Sequence, residues 1–242
     1  MAGVIISKRI LEYRDIPACI NDTLKPIVFW DTCSLLYFNS MVDRRAYDEF
    51  EWDEKLLNLI MEDKVYSVTS MVVMKEFNKH HDELHNKDVG LENRLRNAMA
   101  DYGNIMGSPR KEDLQKGMAA LDLSTHLDYM VTSLWLNTYV IDEDLFFHEK
   151  AHNRVLADQA PSKEKQEYKD CYIWETFLTL CDNVTQKDKA FFMTENTVDY
   201  CGKKSTTPFA DIGNDLNSRG GRIEFRKSRL YVDIAKLLGL IP

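Results

Sequence analysis

Ile27-Val28-Phe29-Trp30 places four apolar residues in a row, the pattern of a parallel strand covered on both faces, and the run stops at Asp31. Ser34 to Ser40 then reads as a short helix. Tyr47 to Met61 reads as an amphipathic one, with Phe50, Leu56, Leu57, Ile60 and Met61 near helical spacing. Val65 to Thr69 is a second strand, and Met71 opens a helix carrying Val72, Val73, Glu76 and Phe77. From about Leu91 to Leu156 the spacing predicts helix throughout. Leu95, Met99, Met118, Leu121, Leu127, Met130, Leu134 and Trp135 are its candidate core positions, with Gly107-Ser108-Pro109 as a break. Lys163 to Leu180 is a further helix. Strand patterns return at Ala190 to Thr194 and at Arg222 to Phe225, and a helix from Ser228 to Leu238 closes the chain. Such alternation predicts an α/β fold on a parallel sheet, with the block at about 91–160 as a helical insertion. Four strands near 27, 65, 190 and 222 are too few for two sheets, so 1–242 reads as a single domain. No internal repeat interrupts it.

Composition narrows the class. The 242 residues are 44% hydrophobic and 11% aromatic, ample for a core, and 10 Gly with 6 Pro leave no long disordered tract. Apolar stretches such as Val131 to Leu136 and Leu178 to Cys181 end far short of the roughly 18 residues of a membrane span. Met1 to Ile6 precedes the first basic residues, Lys8 and Arg9, and is too short for a signal-peptide core, so a cytoplasmic address without membrane contact is expected. The five cysteines are odd in number and lack a C-x-x-C pair, which points to reduced thiols. A net charge of -8 argues against a surface that coats nucleic acid non-specifically, yet not against a nuclease, whose acidic site is itself negative. Residues 202–242 still gather eight basic residues, Lys203, Lys204, Arg219, Arg222, Arg226, Lys227, Arg229 and Lys236, against four acids.

Sites in open α/β sheets lie beyond the carboxyl ends of the strands, and acids recur there. Asp31 follows the first strand, Glu76 lies in the helix after the second, and Asp199 comes five residues past Thr194. Asp170 sits in a helix among Tyr172, Ile173 and Phe177. Four converging carboxylates raise one another's pKa unless a cation neutralises them. Mg²⁺ or Mn²⁺, which prefer oxygen ligands, would do so and would suit phosphoryl chemistry.

In these segments the chain resembles the PIN-domain nucleases. The resemblance rests on Ile27 to Thr32, the Glu76 helix after Ser67-Val68-Thr69-Ser70, the Lys169-Asp170-Cys171-Tyr172-Ile173 helix, and Phe191 to Tyr200. The last is similar to the family's strand followed by T-x-N-x-x-D-aromatic. It covers residues 25–85 and 163–228 and not the helical middle. It implies a three-layer α/β/α fold with a central parallel sheet, and a Mg- or Mn-dependent phosphodiesterase acting on RNA to leave 5′-phosphate and 3′-hydroxyl ends. Carried over by position, Asp31, Glu76, Asp170 and Asp199 would bind metal, with Asn196 and Thr32 orienting them. Asp31 would be the central ligand, Asp170 and Asp199 would complete its shell, and Glu76 would serve a second ion or its water. The expected partner is nucleic acid, RNA first; a protein partner or homo-oligomer is left open.

Each residue also has a plainer reading. Asp31 suits a turn or helix cap, Glu76 a solvated helix face, Asn196 a turn, and Asp170 an ion pair with Lys169 or a nearby Arg. A catalytically inactive PIN scaffold that binds protein or RNA is the corresponding alternative for the whole chain. His148-Glu149-Lys150-Ala151-His152 matches the H-E-x-x-H of zinc peptidases, but Lys150 is an unusual occupant and the third ligand would have to be Glu164, Glu167 or Glu175. A salt-bridged surface helix is the expected reading. His80, His81 and His85 either approach a substrate phosphate or, as expected, face water. Cys33 and Cys171 read as small core residues. Arg219, Arg222, Arg226, Lys227 and Arg229 form either one rim of a phosphate-tracking groove or a local balance of charge.

Overall fold

The computed structural model describes residues 7, 9–38, 47–106, 123–163, 167–203 and 205–242. Its centre is a six-stranded, wholly parallel sheet. The strands are β1 (Arg9–Leu11), β2 (Ile27–Trp30), β3 (Tyr66–Ser70), β4 (Thr138–Ile141), β5 (Ala190–Met193) and β6 (Arg222–Glu224), in the order β1-β4-β3-β2-β5-β6. Every residue of β2, β3 and β5 is buried, as the unbroken apolar runs of β2 and β5 require, and the buried Ser67 and Thr69 hydroxyls of β3 are hydrogen-bonded; the edge strands β1 and β6 are only partly covered.

The described helices are α1 (Ile16–Cys19), α2 (Thr32–Phe38), α3 (Tyr47–Met61), α4 (Met71–Met106), α5 (Leu123–Leu136), α6 (Leu145–Leu156), α7 (Tyr168–Asn183), α8 (Thr197–Cys201), α9 (Ala210–Arg219) and α10 (Lys227–Leu237). Neighbouring residues of a strand point to opposite faces, and β2 shows what covers each. Phe29 meets Phe177 of α7, while Trp30 meets Phe38 of α2, so the sheet is the middle of three layers. On the α7 side, Phe192 of β5 gathers Phe29, Trp174, Phe177 and Tyr200 at ring separations of 5.1–5.8 Å.

Two strands depart from the sequence reading. The stretch from Leu91 to Leu156 is not helical throughout: Thr138–Ile141 is β4, hydrogen-bonded between β1 and β3 inside the sheet. Residues 138–156 therefore belong to the α/β layers and not to an insertion. Asn137 alone separates the strand from the apolar helix α5, too short a break for periodicity to register. Arg9–Leu11 is a further strand, of three residues at the sheet edge. Leu95 is 42% exposed and Met61 also 42%, so neither joins the core. Leu127, Met130, Leu134 and Trp135 do. The helix expected from Lys163 begins at Tyr168. Gly107 to Pro109, Met118, Leu121 and Ser40 lie outside the described residues.

Candidate active site

From β2 the chain moves to β3 on one side, whereas β5 leads to β6 on the other. The crevice where neighbouring strands diverge in this way is where open α/β sheets hold ligands, and here it lies between the carboxyl ends of β2 and β5. Asp31 and Thr194 are the first residues past those ends.

Asp31 is 4% exposed. Its Oδ1 accepts the Thr32 N–H at 2.7 Å; its Oδ2 accepts the Thr194 hydroxyl at 2.7 Å and the Cys33 thiol at 3.1 Å. Burial raises its pKa, with those hydrogen bonds opposing and Glu76 adding to the rise. Cys33, which reads from sequence as a core thiol, thus holds a carboxylate, and its sulfur also accepts the Glu195 N–H at 3.2 Å. Cys171 is fully buried, as expected.

Asp199 lies in the first turn of α8 and is 1% exposed. Asn196 caps that helix. Its Nδ2 donates to Asp199 Oδ2 at 2.5 Å, while the Asn196 N–H donates to Thr194 Oγ1 at 3.0 Å. Thr194 therefore ties the Asp31 and Asp199 segments together. Across the crevice, Glu76 Oε2 accepts the Thr32 hydroxyl at 2.9 Å, and Glu76 Oε1 pairs with Lys169 Nζ at 2.7 Å. Burial alone would raise Glu76, but the bonds from Lys169 and Thr32 outweigh it and hold the carboxyl below its ordinary value. Lys169 thus pairs with Glu76 and not with its neighbour Asp170.

Asp170, in the first turn of α7, is half-buried, and its Oδ2 is shielded from water without a hydrogen-bond partner. Burial first, then Asp31, Asp199 and Glu167, push its pKa up to about 8. Among the described residues, Glu167, Asp170 and Asp199 bring ligand oxygens within 4.8 Å of one another. The sequence offers Glu167 only as a possible zinc ligand; its place just ahead of α7, one turn before Asp170, is the signal that could have found it. All donors here are carboxylate oxygens, the set that suits a hard divalent cation.

The rival constellations dissolve into ordinary contacts. His148 Nδ1 bonds the Tyr168 hydroxyl at 2.6 Å, His152 is exposed, and Glu175 is held by Arg154 at 2.7 Å; Glu164 lies outside the described residues. His81 is not on the surface but packs on Phe77, and His85 meets Asp128 at 3.0 Å. The basic cluster divides. Lys227 is 2% exposed and pairs with Asp53 at 2.7 Å, Arg219 pairs with Asp182, and Arg226 and Arg229 face outward. Lys204 is outside the described residues.

Comparison with family models matches a PIN domain over residues 28–200, a span that contains all four acids and the whole middle of the chain. The chain belongs to the PIN-domain family. Comparison with curated proteins and with solved structures gives no match. PIN domains are generally metal-dependent nucleases that bind nucleic acids, and this one carries an acidic cluster at its switch point. No helix among the described residues is long and apolar enough to cross a membrane.

Proposed function

We propose that this PIN domain is a Mg- or Mn-dependent ribonuclease that hydrolyses phosphodiester bonds to leave 5′-phosphate and 3′-hydroxyl ends. Asp31, Asp170 and Asp199 would hold the main ion, and Glu76 a second ion or its water. The observation that carries this reading is Asp170, a shielded carboxylate whose strongest influences are burial and other acids. A divalent cation relieves that arrangement, and nothing else in the set of donors favours a softer metal.

When bound, such an ion lowers the pKa of a water and offsets charge on a phosphate. The chain's own residues do the positioning. Three donors hold the Asp31 carboxylate beyond the ends of the adjacent strands β2 and β5. Asn196 clamps Asp199, and Thr32 joins Asp31 to Glu76 through its amide and its hydroxyl. Glu167 stands within reach of Asp170 and Asp199 and is added to the candidate ligands.

One observation favours the inactive scaffold instead: Lys169 already neutralises Glu76 without a metal. A titration with Mn²⁺ followed by cleavage of end-labelled single-stranded RNA decides between them. We expect stoichiometric binding and cleavage that is abolished by chelator and by Asp31→Asn; absence of binding overturns the reading. The single domain over 1–242 and a cytoplasmic site of action belong to the same proposal. They are supported by one sheet drawing on both ends of the chain and by five unpaired thiols.

A further inference from the structure

Beside the acidic crevice, the carboxyl end of β6 opens into a cleft of about 660 Å³. Its lining includes Trp52 of α3, Thr197 of α8, Glu224 of β6, Phe225 and Arg226 just ahead of α10, and Arg229 in the first turn of α10. The volume falls in the range of sites that accept small organic ligands, roughly 300–1,000 Å³. Thr197 opens the same short helix that carries Asp199, so cleft and acidic cluster share α8.

The side chains at the cleft combine aromatic rings with two cations. Trp30, Trp135 and Trp174 are buried in the core, whereas Trp52 is only half-buried and lines the cleft. Tyr231 packs against its indole at 5.5 Å and Lys55 Nζ lies 4.3 Å from the ring centre, which holds the ring in place. Arg226 and Arg229 present guanidinium groups to solvent; the contact of Arg229 with Glu224, at 3.5 Å, is loose and leaves donors for an anion. Lys227, between them in sequence, turns inward to Asp53 and takes no part.

Nucleobases stack on aromatic rings whatever their sequence, and guanidinium forks match phosphate oxygens. A chain of net charge -8 repels a polyanion overall, so a strand needs a local basic and aromatic foothold to stay near the acids. We infer that this cleft holds one unpaired nucleotide of a single-stranded nucleic acid, its base against Trp52 and Phe225 and its phosphate on Arg226 and Arg229. Its role in presenting a strand to the neighbouring acids rests on the nuclease reading; binding does not.

The test uses the full-length protein in chelator with single-stranded decamers of adenylate, unlabelled for tryptophan emission and fluorescein-labelled for anisotropy. Binding should quench emission in the wild type and not in Trp52→Phe, which still binds by anisotropy. Trp52→Ala should weaken binding about tenfold, the low-to-middle range for removal of one stacked base. The doubly substituted Arg226→Gln, Arg229→Gln protein, altered only at exposed positions, should bind more weakly and show a salt dependence shallower by about 0.7 for each phosphate no longer neutralised. An abasic decamer should not distinguish wild type from Trp52→Ala. Equal binding by wild type, Trp52→Ala and the arginine variant overturns the inference, as does quenching that persists in Trp52→Phe. Asp170→Asn separates the two claims: it should bind like the wild type without cutting. A protein that binds through Trp52 but never cleaves keeps the cleft and loses the nuclease; one that cleaves with Trp52 irrelevant does the reverse.

Discussion

Two acids of helix α7, Asp170 and Glu175, have opposite fates. Asp170, in its first turn, stands among Asp31, Asp199 and Glu167 and is pushed up to about 8. Glu175, five residues later, leaves the helix about 140° away. There Arg154 meets Glu175 at 2.7 Å and Asp215 at 2.7 Å, gives a third bond to the Ala160 carbonyl at 2.6 Å, and Trp174 Nε1 supports Asp215 at 3.0 Å. Burial lowers the Arg154 pKa, but its two acids more than restore it. One buried acid is thus completed by a cation inside the fold and ties α6, α7 and α9 together, while the other faces further acids, Asp31, Asp199 and Glu167. Burial of an acid is therefore not itself the mark of a site; what faces the acid is.

The sharpest way to break this contrast is to remove the cation from the completed cluster. Arg154→Met leaves Glu175 buried without its partner and should cost about 3–5 kcal/mol of stability in denaturant melts, with Mn²⁺ binding by the remaining folded protein retained. A near-neutral effect would show that the cluster was not holding the helices. Asp170→Asn should do the opposite to stability and the most to activity. Metal-dependent cleavage falls about a hundredfold or more, while the metal-free protein melts at the same or a higher temperature. A destabilised but active variant would remove Asp170 from the site.

Acidity sharpens the same comparison. The folded Asp170 value of about 8 exceeds the roughly 3.9 of an unfolded aspartate, so between these values the folded state binds the extra proton. Its contribution to stability is present in full below about pH 4 and is lost as pH rises toward 8. The metal-free wild type should lose melting temperature across that window, and Asp170→Asn should show a flatter profile. Bound Mg²⁺ or Mn²⁺ should raise the melting temperature more near pH 8 than near pH 6, because Asp170 must shed its proton to bind. A rise of the same size at both values would separate metal binding from Asp170. The smallest effect is expected at the H-E-x-x-H helix: His152→Ala, on an exposed side chain, should change stability by less than about 0.5 kcal/mol and leave zinc content at zero by metal analysis.

The strands at 27–30 and 190–193 are legible in the sequence because burial on both faces demands unbroken apolar runs. The helix at 47–61 is legible from its stripe. Thr138–Ile141 is not, since a four-residue strand directly behind an apolar helix has no period of its own. Thr32 and Asn196 are marked by their positions beside acids, and both contact them. The roles of Thr194 and Cys33 stay hidden, because a hydroxyl or thiol after a strand looks the same in sequence whether it faces water or a buried carboxylate. Adjacency assigns Lys169 to Asp170, yet its Nζ reaches Glu76, 93 positions earlier.

The amino-acid sequence by itself determined the class of fold, the acids after the strands and the Thr194-x-Asn196-x-x-Asp199 turn, all of which depend on local spacing and burial. Only the tertiary structure decided that β5 lies beside β2, that Glu175 has an arginine and Asp170 has acids, and that Arg226 and Arg229 face a cleft while Lys227 does not. Parallel neighbours are joined by long crossovers, so their order leaves no trace in local spacing, and the partner of a charge is set by which helices the sheet brings together.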